Sequence, residues 1–263
     1  MNYITPKKSL GQHFLRDRNI AQKIVSSIQP ENTGTVLEIG PGMGILTGFL
    51  LENPAYTTYA VEIDSESINY LYDNYPDIKN RIISGNFLDL KLSELFPTPL
   101  VIIGNFPYNI GSQIFFKVLE NKEIVQQVVC MVQKEVAERI AAHPSSKTYG
   151  ILSVLLQAFY NIEYLFTVNE NVFFPPPKVK SAVIRLKRNN TTGLACNEKL
   201  FFNVVKTSFN QRRKTIHNSL KSIVKEHPEN YLFRQRPEQL SVDEFVVLTN
   251  IVSQCLVPGS IKY

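Results

Sequence analysis

The chain has 263 residues, 44% of them hydrophobic, so it is long enough for one large domain and a smaller one. No stretch approaches the roughly eighteen consecutive apolar residues of a membrane span, and the first residues lack the apolar segment of a signal peptide. We therefore expect a cytoplasmic protein with no membrane partner. The cysteines Cys130, Cys196 and Cys255 are far apart, and neither they nor the four histidines show metal-ligand spacing, so no metal site is predicted.

The net charge is +5, and it is distributed unevenly along the chain. Residues 178–225 contain twelve Lys or Arg and one acid, so this segment carries +11 and the remainder −6. Such a one-sided block is typical of a phosphate-binding surface, although the solvated faces of ordinary helices are the alternative. The residues that we predict to contact nucleic acid are Lys178, Lys180, Arg212, Arg213 and Lys214.

Apolar runs alternate with amphipathic stretches over roughly the first 185 residues. Strands are predicted at 35–39, 57–62, 81–84, 100–103, 125–132, 162–167 and 181–186. Helices are predicted between most of them, at 44–52, 65–74, 112–119, 134–142 and 150–159. The alternation indicates a parallel sheet with helices on both faces, and the last two strands are close enough in sequence to pair antiparallel at its edge.

The polar segment 189–193 has no periodicity, and we place a domain boundary there. Helices are predicted beyond it at 199–209, 214–225 and 242–255, the last beginning at a Ser-x-x-Glu capping box. We predict a first domain over residues 1–188 and a second over 194–263. The first is an α/β domain with a mostly parallel sheet and an antiparallel last strand, and the second is small and all-helical.

A glycine-rich turn follows the first predicted strand, at Gly40, Gly42 and Gly44. Such a turn brings backbone N–H groups close to a ligand. Ile45 occupies the place of the last glycine in the nicotinamide pattern Gly-x-Gly-x-x-Gly, which argues against an oxidoreductase. The tighter turn favours a nucleoside with an amino-acid tail and a sulfonium.

Two polar residues follow the next two strands and suit the other parts of such a ligand. Glu62 ends the second strand, where a carboxylate accepts from both ribose hydroxyls. Asn86 follows the third strand, where its amide oxygen accepts from an adenine amine. Plainer interpretations are that Glu62 is a surface carboxylate and that Gly40 is just a turn, but three successive strand ends with these partners favour a bound cofactor.

The next strand ends in Asn-x-Pro-Tyr. The side-chain oxygen of Asn105 and the carbonyl of Phe106 are predicted to accept from the exocyclic amine of adenine, which frees the nitrogen lone pair. Pro107 holds the turn and Tyr108 stacks on the base. The alternative is a strand-end turn with a buried tyrosine.

Three consecutive prolines, at 175–177, follow Phe173 and Phe174 and indicate a stiff extended loop. Such a loop can hold an aromatic ring over an extruded base, which would complete a sandwich with Tyr108. The alternative is hydrophobic packing of both phenylalanines.

On these motifs, the chain resembles the KsgA/RsmA-type rRNA adenine dimethyltransferases over nearly its whole length. The matching segments are 8–15, 38–44, 61–64, 105–110, 133–137, 149–153, 173–181 and 209–214. The resemblance implies a Rossmann-like methyltransferase sheet with S-adenosyl-L-methionine as methyl donor. It also implies dimethylation of two adjacent adenosines in a hairpin loop near the 3′ end of 16S rRNA, by a monomer acting on a pre-30S particle.

Site residues follow from the resemblance position by position. The implied cofactor contacts are His13, Leu15, Gly40, Glu62, Asn86 and Asn105. The implied catalytic residues are Asn105, Pro107 and Tyr108, which hold the amine, and Phe173, which stacks on the base. The family usually has Asp where this chain has Asn86, which predicts weaker cofactor binding, and commonly Leu where it has Phe106, which changes the shape of the pocket.

Other functions share some of these motifs. A 23S rRNA adenine methyltransferase of the macrolide-resistance type and a DNA adenine methyltransferase both contain Asn-x-Pro-Tyr. Segments 8–15 and 209–214 favour the small-subunit type. A ribosome-assembly factor with secondary catalysis is a further alternative, from a different class of function.

Overall fold

The structure is a computed structural model that describes residues 4–29, 34–96, 99–224 and 228–257. Its strands are β1 (Phe14–Leu15), β2 (Thr35–Ile39), β3 (Thr57–Glu62), β4 (Ile82–Ser84), β5 (Leu100–Asn105), β6 (Val125–Gln133), β7 (Tyr160–Val168), β8 (Phe173–Phe174) and β9 (Ser181–Arg188). Its α-helices are α1 (Arg18–Val25), α2 (Ile45–Leu51), α3 (Ser65–Asn74), α4 (Leu92–Leu95), α5 (Gly111–Glu120), α6 (Lys134–Ile140), α7 (Ile151–Gln157), α8 (Glu198–Asn210), α9 (Ile216–Ser219) and α10 (Val242–Gln254). Short 3₁₀ helices lie at Lys8–Leu10, Pro76–Arg81, Phe87–Asp89, Glu170–Val172, Tyr231–Arg234 and Pro237–Gln239.

Seven strands form one sheet in the order β4-β3-β2-β5-β6-β9-β7. Neighbours from β4 to β6 pair in parallel, whereas β9 pairs antiparallel to β6. The predicted α/β fold with an antiparallel last strand is therefore confirmed, and β9 and β7 are neighbours at the sheet edge, as expected. A separate two-stranded sheet joins β1 to β8, which brings residues 14–15 beside residues 173–174.

The central strands are apolar almost throughout because helices cover both faces of a parallel sheet. Every residue of β2 is buried, and β5 is buried from Leu100 to Gly104. On one face, α1 and α2 pack against β2, β5 and β6 around Ile24, Leu50 and Val101. This packing holds the carboxyl ends of the strands at one edge of the sheet.

The chain divides into two compact units. One comprises Met1–Ala137 and Asn161–Arg188, and the other Glu138–Tyr160 and Asn189–Tyr263. The second unit thus takes in α7, five of whose residues in succession are buried, and the units are not two linear segments. The assignment of residues 1–188 and 194–263 to two domains stays a prediction. Among the described residues, no helix is both long and apolar enough to cross a bilayer.

The helices of the second unit follow the sequence pattern at α8 and α10 and depart from it at α9. The capping box at the start of α10 is present. The predicted helix over 214–225 is wrong over its described part, because α9 spans only Ile216–Ser219 and turns follow it. Within these turns, the carbonyl of Leu220 accepts from two N–H groups downstream. Val224 forms a β-bridge with Leu256, which takes the backbone out of the helical path. The apolar side chains of the segment stay buried.

Candidate functional site

A cavity of about 330 Å³ opens where β2, β3 and β5 end, the place where parallel α/β sheets bind ligands. Seven of the predicted site residues line it: His13, Gly40, Glu62, Asn86, Asn105, Pro107 and Tyr108. Parallel strands that end at one edge of a sheet bring these sequence-distant residues together. Leu15 lines a smaller adjoining pocket that Gly40 and Asn105 also border.

The glycine turn depends on two different properties of glycine. Gly40 has φ +63°, a left-handed conformation that other residues rarely adopt, although open space surrounds the place of a side chain. At Gly42, a Cβ atom would lie 2.7 Å from Cε1 of Phe14. Gly42 is also left-handed, with φ +54°, so both positions need glycine for backbone conformation, and Gly42 needs it for the close approach of a ring as well.

Glu62 is buried and anchored by three backbone N–H groups. Its Oε1 accepts from Ile63 and Asp64, both at 2.9 Å, and its Oε2 accepts from Gly42 at 3.1 Å. Burial raises the pKa of Glu62 above its ordinary value, while these hydrogen bonds act in the opposite direction. Because each carboxylate oxygen accepts two hydrogen bonds, Oε2 retains one acceptor position for a further donor.

A second carboxylate, Glu38, lies deeper, at 1% exposure. Thr47 Oγ1 donates to its Oε2 at 2.6 Å. Burial raises the pKa of Glu38 to about 8, the Thr47 hydrogen bond opposes this rise, and the negative charge of Glu62 adds to it. Glu38 also borders the smaller pocket beside Gly40.

Asn86 is held by hydrogen bonds at both ends of its amide. Oδ1 accepts from the N–H of Leu88 at 3.1 Å and caps a short 3₁₀ helix, while Nδ2 donates to Asp89 Oδ2 at 3.1 Å. This orientation leaves Oδ1 one acceptor position, as an adenine amine requires. The role of Asn86 in cofactor binding stays a prediction.

The amide of Asn105 is oriented by the N-terminal segment. Its Nδ2 donates to the carbonyl of His13 at 2.8 Å. Because the amide is planar, this bond directs Oδ1 away from His13 and leaves it available as an acceptor. Phe106, the next residue, has a ring only 1% exposed that packs edge-on against Phe115, so its side chain belongs to the core.

Tyr108 is positioned by two neighbours. Its hydroxyl lies 2.6 Å from Oγ of Ser181, at the start of β9, and its ring centroid lies 5.4 Å from that of His13. His13 is itself held by Pro175, whose carbonyl lies 2.7 Å from Nδ1. Burial raises the pKa of Tyr108, so the phenol stays neutral.

The structure does not bring Phe173 to the cavity. Phe173 is 4% exposed, pairs with Leu15 across the two-stranded sheet and belongs to the main core cluster. The packing alternative therefore describes Phe173 here, while the next ring, Phe174, is 43% exposed. Successive residues of a strand point to opposite sides, so only one of the two can face the core.

The predicted basic residues fall in both units. Lys178 and Lys180 are exposed in the first unit, between β8 and β9. In the second unit, Arg213 and Lys214 are exposed, whereas Arg212 is half-buried and donates from Nη2 to the carbonyls of Ser146 and Lys147. Part of the Arg212 guanidinium thus holds a neighbouring loop.

Two features of the cavity were not predicted. Ile63, directly after Glu62, is 55% exposed and lines the cavity, which makes it an apolar surface for a flat ring. The N-terminal segment is fastened at the rim, because Lys7 Nζ lies 2.5 Å from Asp64 Oδ1 and Gln12 Nε2 donates to Oδ2 at 3.3 Å. An apolar residue after a strand-end acid is the signal for Ile63, whereas the contacts of Lys7 and Gln12 depend on tertiary structure alone.

The chain is similar to known proteins over nearly its whole length. The family model described as ribosomal RNA adenine dimethylase matches residues 4–252. The ribosomal RNA small subunit methyltransferase A of Parabacteroides distasonis is 58% identical over 257 residues, covering 97% of this chain and 96% of the relative.

Two solved structures are similar to the chain at 25% identity. A dimethyladenosine transferase from Plasmodium falciparum has a TM-score of 0.75, covering 93% of this chain and 99% of the other. The 23S rRNA methyltransferase ErmE has a TM-score of 0.66, covering 92% and 100%. With the cavity geometry and these matches, the chain belongs to the ribosomal RNA adenine dimethylase family, and it is an enzyme that uses S-adenosyl-L-methionine as methyl donor.

Proposed function

We propose that this protein methylates the exocyclic amines of two adjacent adenosines in a hairpin loop near the 3′ end of 16S rRNA, giving dimethyladenosines. Family membership makes ribosomal RNA the substrate. The observation that carries the proposal is the meeting of Asn105, Pro107 and Tyr108 with Gly40 and Glu62 in one cavity. An amine-holding motif and a nucleoside-type site thus lie within reach of one another.

The cavity fits the methyl donor at several points. The space above Gly40 lets a ligand approach the backbone of the turn, and Oε2 of Glu62 keeps an acceptor for a ribose hydroxyl. Ile63 offers an apolar face to the adenine ring, and Oδ1 of Asn86 accepts from its amine. When bound, S-adenosyl-L-methionine supplies an electrophilic methyl group on a sulfonium.

The residues after β5 activate the target amine by position and polarity. The lone pair of an adenine amine is delocalised into the ring, which makes the nitrogen a poor nucleophile. Acceptors aimed at its two hydrogens, Oδ1 of Asn105 and the carbonyl of Phe106, favour a pyramidal nitrogen with a localised lone pair. Tyr108, which Ser181 and His13 hold in place, provides the ring on which the base stacks.

Contacts outside the cavity complete the proposal. Exposed Lys178, Lys180, Arg213 and Lys214 bind RNA phosphates, and their contribution weakens as salt rises. Arg212 acts chiefly by holding the loop at Ser146 and Lys147. The protein works as a cytoplasmic monomer on a pre-30S particle, where loop bases are already partly unstacked.

Two other functions remain candidates for the test. ErmE, named as a 23S rRNA methyltransferase, also shares this fold, so the fold alone does not separate the two rRNA substrates. The 58% identity to a small-subunit enzyme supports 16S rRNA. An assembly factor with secondary catalysis would bind particles through surfaces that do not need Asn105.

The test is to incubate the protein with methyl-labelled S-adenosyl-L-methionine and, separately, unmethylated small-subunit particles, large-subunit rRNA and duplex DNA. The nucleic acid is then digested and the labelled nucleoside identified. We expect labelled N(6)-dimethyladenosine from small-subunit particles alone. Label from large-subunit rRNA would indicate the resistance-type activity, and particle binding without label would indicate an assembly factor.

A further inference from the structure

Phe174 presents an aromatic ring to solvent directly beside the cavity wall. It is 43% exposed and pairs across the two-stranded sheet with Phe14, a cavity-lining residue. Paired residues of antiparallel strands lie about 5 Å apart between Cα atoms. Phe174 itself is not among the described residues that line the cavity. It lies one strand away from Phe14, which does line it.

An arginine already covers part of this ring. The guanidinium carbon of Arg16 lies 3.9 Å from the centroid of Phe174. Arg16 is exposed, and within the described parts of the chain no carboxylate or carbonyl accepts a hydrogen bond from its guanidinium. Its donors are therefore available to a phosphate or a base edge while its plane stays on the ring.

Two other cation–aromatic pairs of the first unit differ from this one, because their rings pack against the core. Arg18 lies 4.9 Å from the ring centroid of Phe49, and Lys23 lies 3.9 Å from that of Phe166. Phe49 and Phe166 both pack against the main core cluster, so their rings have a structural role. Phe174 is not among the described residues of that cluster, and packing therefore does not account for its position.

The charge around the ring matches a nucleic acid. Lys178 and Lys180 are exposed on the same loop, and Val179 between them is 46% exposed. The nearest acid in sequence to Arg16 is Asp17, whose Oδ1 is engaged by the N–H of Ile20 as a helix cap. Aromatic rings combined with arginine and lysine are the usual means of binding single-stranded nucleic acid.

We propose that Phe174 and Arg16 form a stacking platform for the base of a nucleotide that adjoins the methylated adenosine. The proposal rests on the proposed function, because it assumes that the target base occupies the cavity. The platform holds the flanking nucleotide while Lys178 and Lys180 bind its phosphates. It thereby contributes to the affinity for the RNA loop and not to the chemical step.

The experiment uses a synthetic RNA hairpin whose loop contains two adjacent adenosines, with 2-aminopurine placed at each other loop position in turn. This base loses fluorescence when it stacks. We expect the wild-type protein to quench one flanking position, and Phe174→Ala to remove the quenching there and weaken hairpin binding about tenfold, the contribution of one base–aromatic stack. Phe174→Tyr should keep both the quenching and the wild-type hairpin affinity.

Arg18→Ala is the matched control for Arg16→Ala, because it removes the same charge from a ring that packs against the core. We expect Arg16→Ala to weaken binding more than Arg18→Ala and to restore fluorescence at the same loop position as Phe174→Ala. Calorimetric titration with S-adenosyl-L-methionine, unchanged in all variants, verifies that they are folded.

Several results would overturn the platform. One is that Phe174→Ala and Phe174→Tyr bind the hairpin with equal affinity. Another is that the wild-type protein quenches 2-aminopurine at no loop position. A third is that Arg16→Ala and Arg18→Ala weaken hairpin binding equally. Weaker particle binding with unchanged hairpin binding would also overturn it and assign Phe174 to a protein contact. Failure of the proposed function is separate, because it appears as absent methyl transfer by the wild-type protein, whereas these readouts need no turnover.

Discussion

The strand ends around the cavity and the two-residue strand β8 differ in how firmly the backbone determines where each side chain points. At the strand ends, Glu62 accepts from three backbone N–H groups, and Asn105 is fixed by the carbonyl of His13. In β8, Phe173 points into the core and Phe174 points to solvent. A one-residue shift would exchange these two rings, whereas no such shift exchanges the polar groups at the ends of a seven-stranded sheet.

The difference suggests a division of roles between the catalytic groups at the strand ends and the rings of β8. Groups anchored by the sheet are suited to hold an amine or a ribose in one geometry. A short strand suits a ring that contributes affinity to a flexible RNA loop. The following variants test the comparison, from the largest expected effect to the smallest.

Asn105→Ala should reduce methyl transfer to small-subunit particles about a hundredfold or more in kcat, because it removes an acceptor aimed at the amine. Asn121→Ala is the matched control. The Nδ2 of Asn121 also donates to a backbone carbonyl, that of Lys117, but lies outside the cavity lining. Single-turnover rates at saturating donor measure the effect, and a loss of similar size in both variants would assign Asn105 to stability.

Phe173→Ala should lower the free energy of unfolding by about 3 kcal/mol, because it removes a buried ring from the core cluster. Phe174→Ala, its neighbour, should change it by about 0.5 kcal/mol or less. Urea unfolding of both variants gives the comparison. A stable Phe173→Ala protein that loses methyl transfer would show that the ring leaves the core to stack on the base, and the contrast within β8 would fail.

Much of the fold and of the site followed from local patterns. The ends of β2, β3 and β5 can be read from the sequence because their apolar runs stop at Gly40, Glu62 and Asn105, and parallel topology then brings these residues together. The sequence could not predict which of the two rings points into the core, because Phe173 and Phe174 are identical and their pattern shows no alternation of apolar and polar residues. The shortened helix at Ile216–Ser219 depends on the bridge between Val224 and the chain's last described residues, a tertiary contact.

Glu38→Gln tests the buried end of the site through pH. The folded-state pKa of Glu38, about 8, is above its ordinary value of 4.5, so the folded protein holds a proton that the unfolded chain releases. Glu38 should therefore lower the stability of the wild-type protein as pH rises from 4.5 to 8, by about 1.4 kcal/mol per pH unit at most. The variant cannot ionise at position 38 and should show a smaller slope, to which Glu62, whose pKa burial also raises, still contributes.

Urea unfolding between pH 5 and 8 measures the two slopes. Glu66→Gln, which changes an exposed carboxylate paired with Lys7, is the control and should keep the wild-type slope in this range. Parallel curves for the wild type and Glu38→Gln would mean that Glu38 is ionised in the folded protein at neutral pH.

Asn86→Asp should have the smallest effect, because the carboxylate of Asp89 lies beside position 86. The Nδ2 of Asn86 donates to Asp89 Oδ2 at 3.1 Å, so an aspartate at position 86 would place two carboxylates side by side and raise the pKa of the pair. Cofactor affinity should then rise about fivefold at most, through a charge-assisted hydrogen bond, and only as pH increases. Adding Asp89→Asn should bring the same gain at lower pH. Calorimetric titration with S-adenosyl-L-methionine from pH 5 to 8, with Asp89→Asn alone as control, measures this. If the affinity of Asn86→Asp for the cofactor rose equally at every pH, the charge of Asp89 would not affect position 86. The amide of Asn86 would then not be explained by its neighbour.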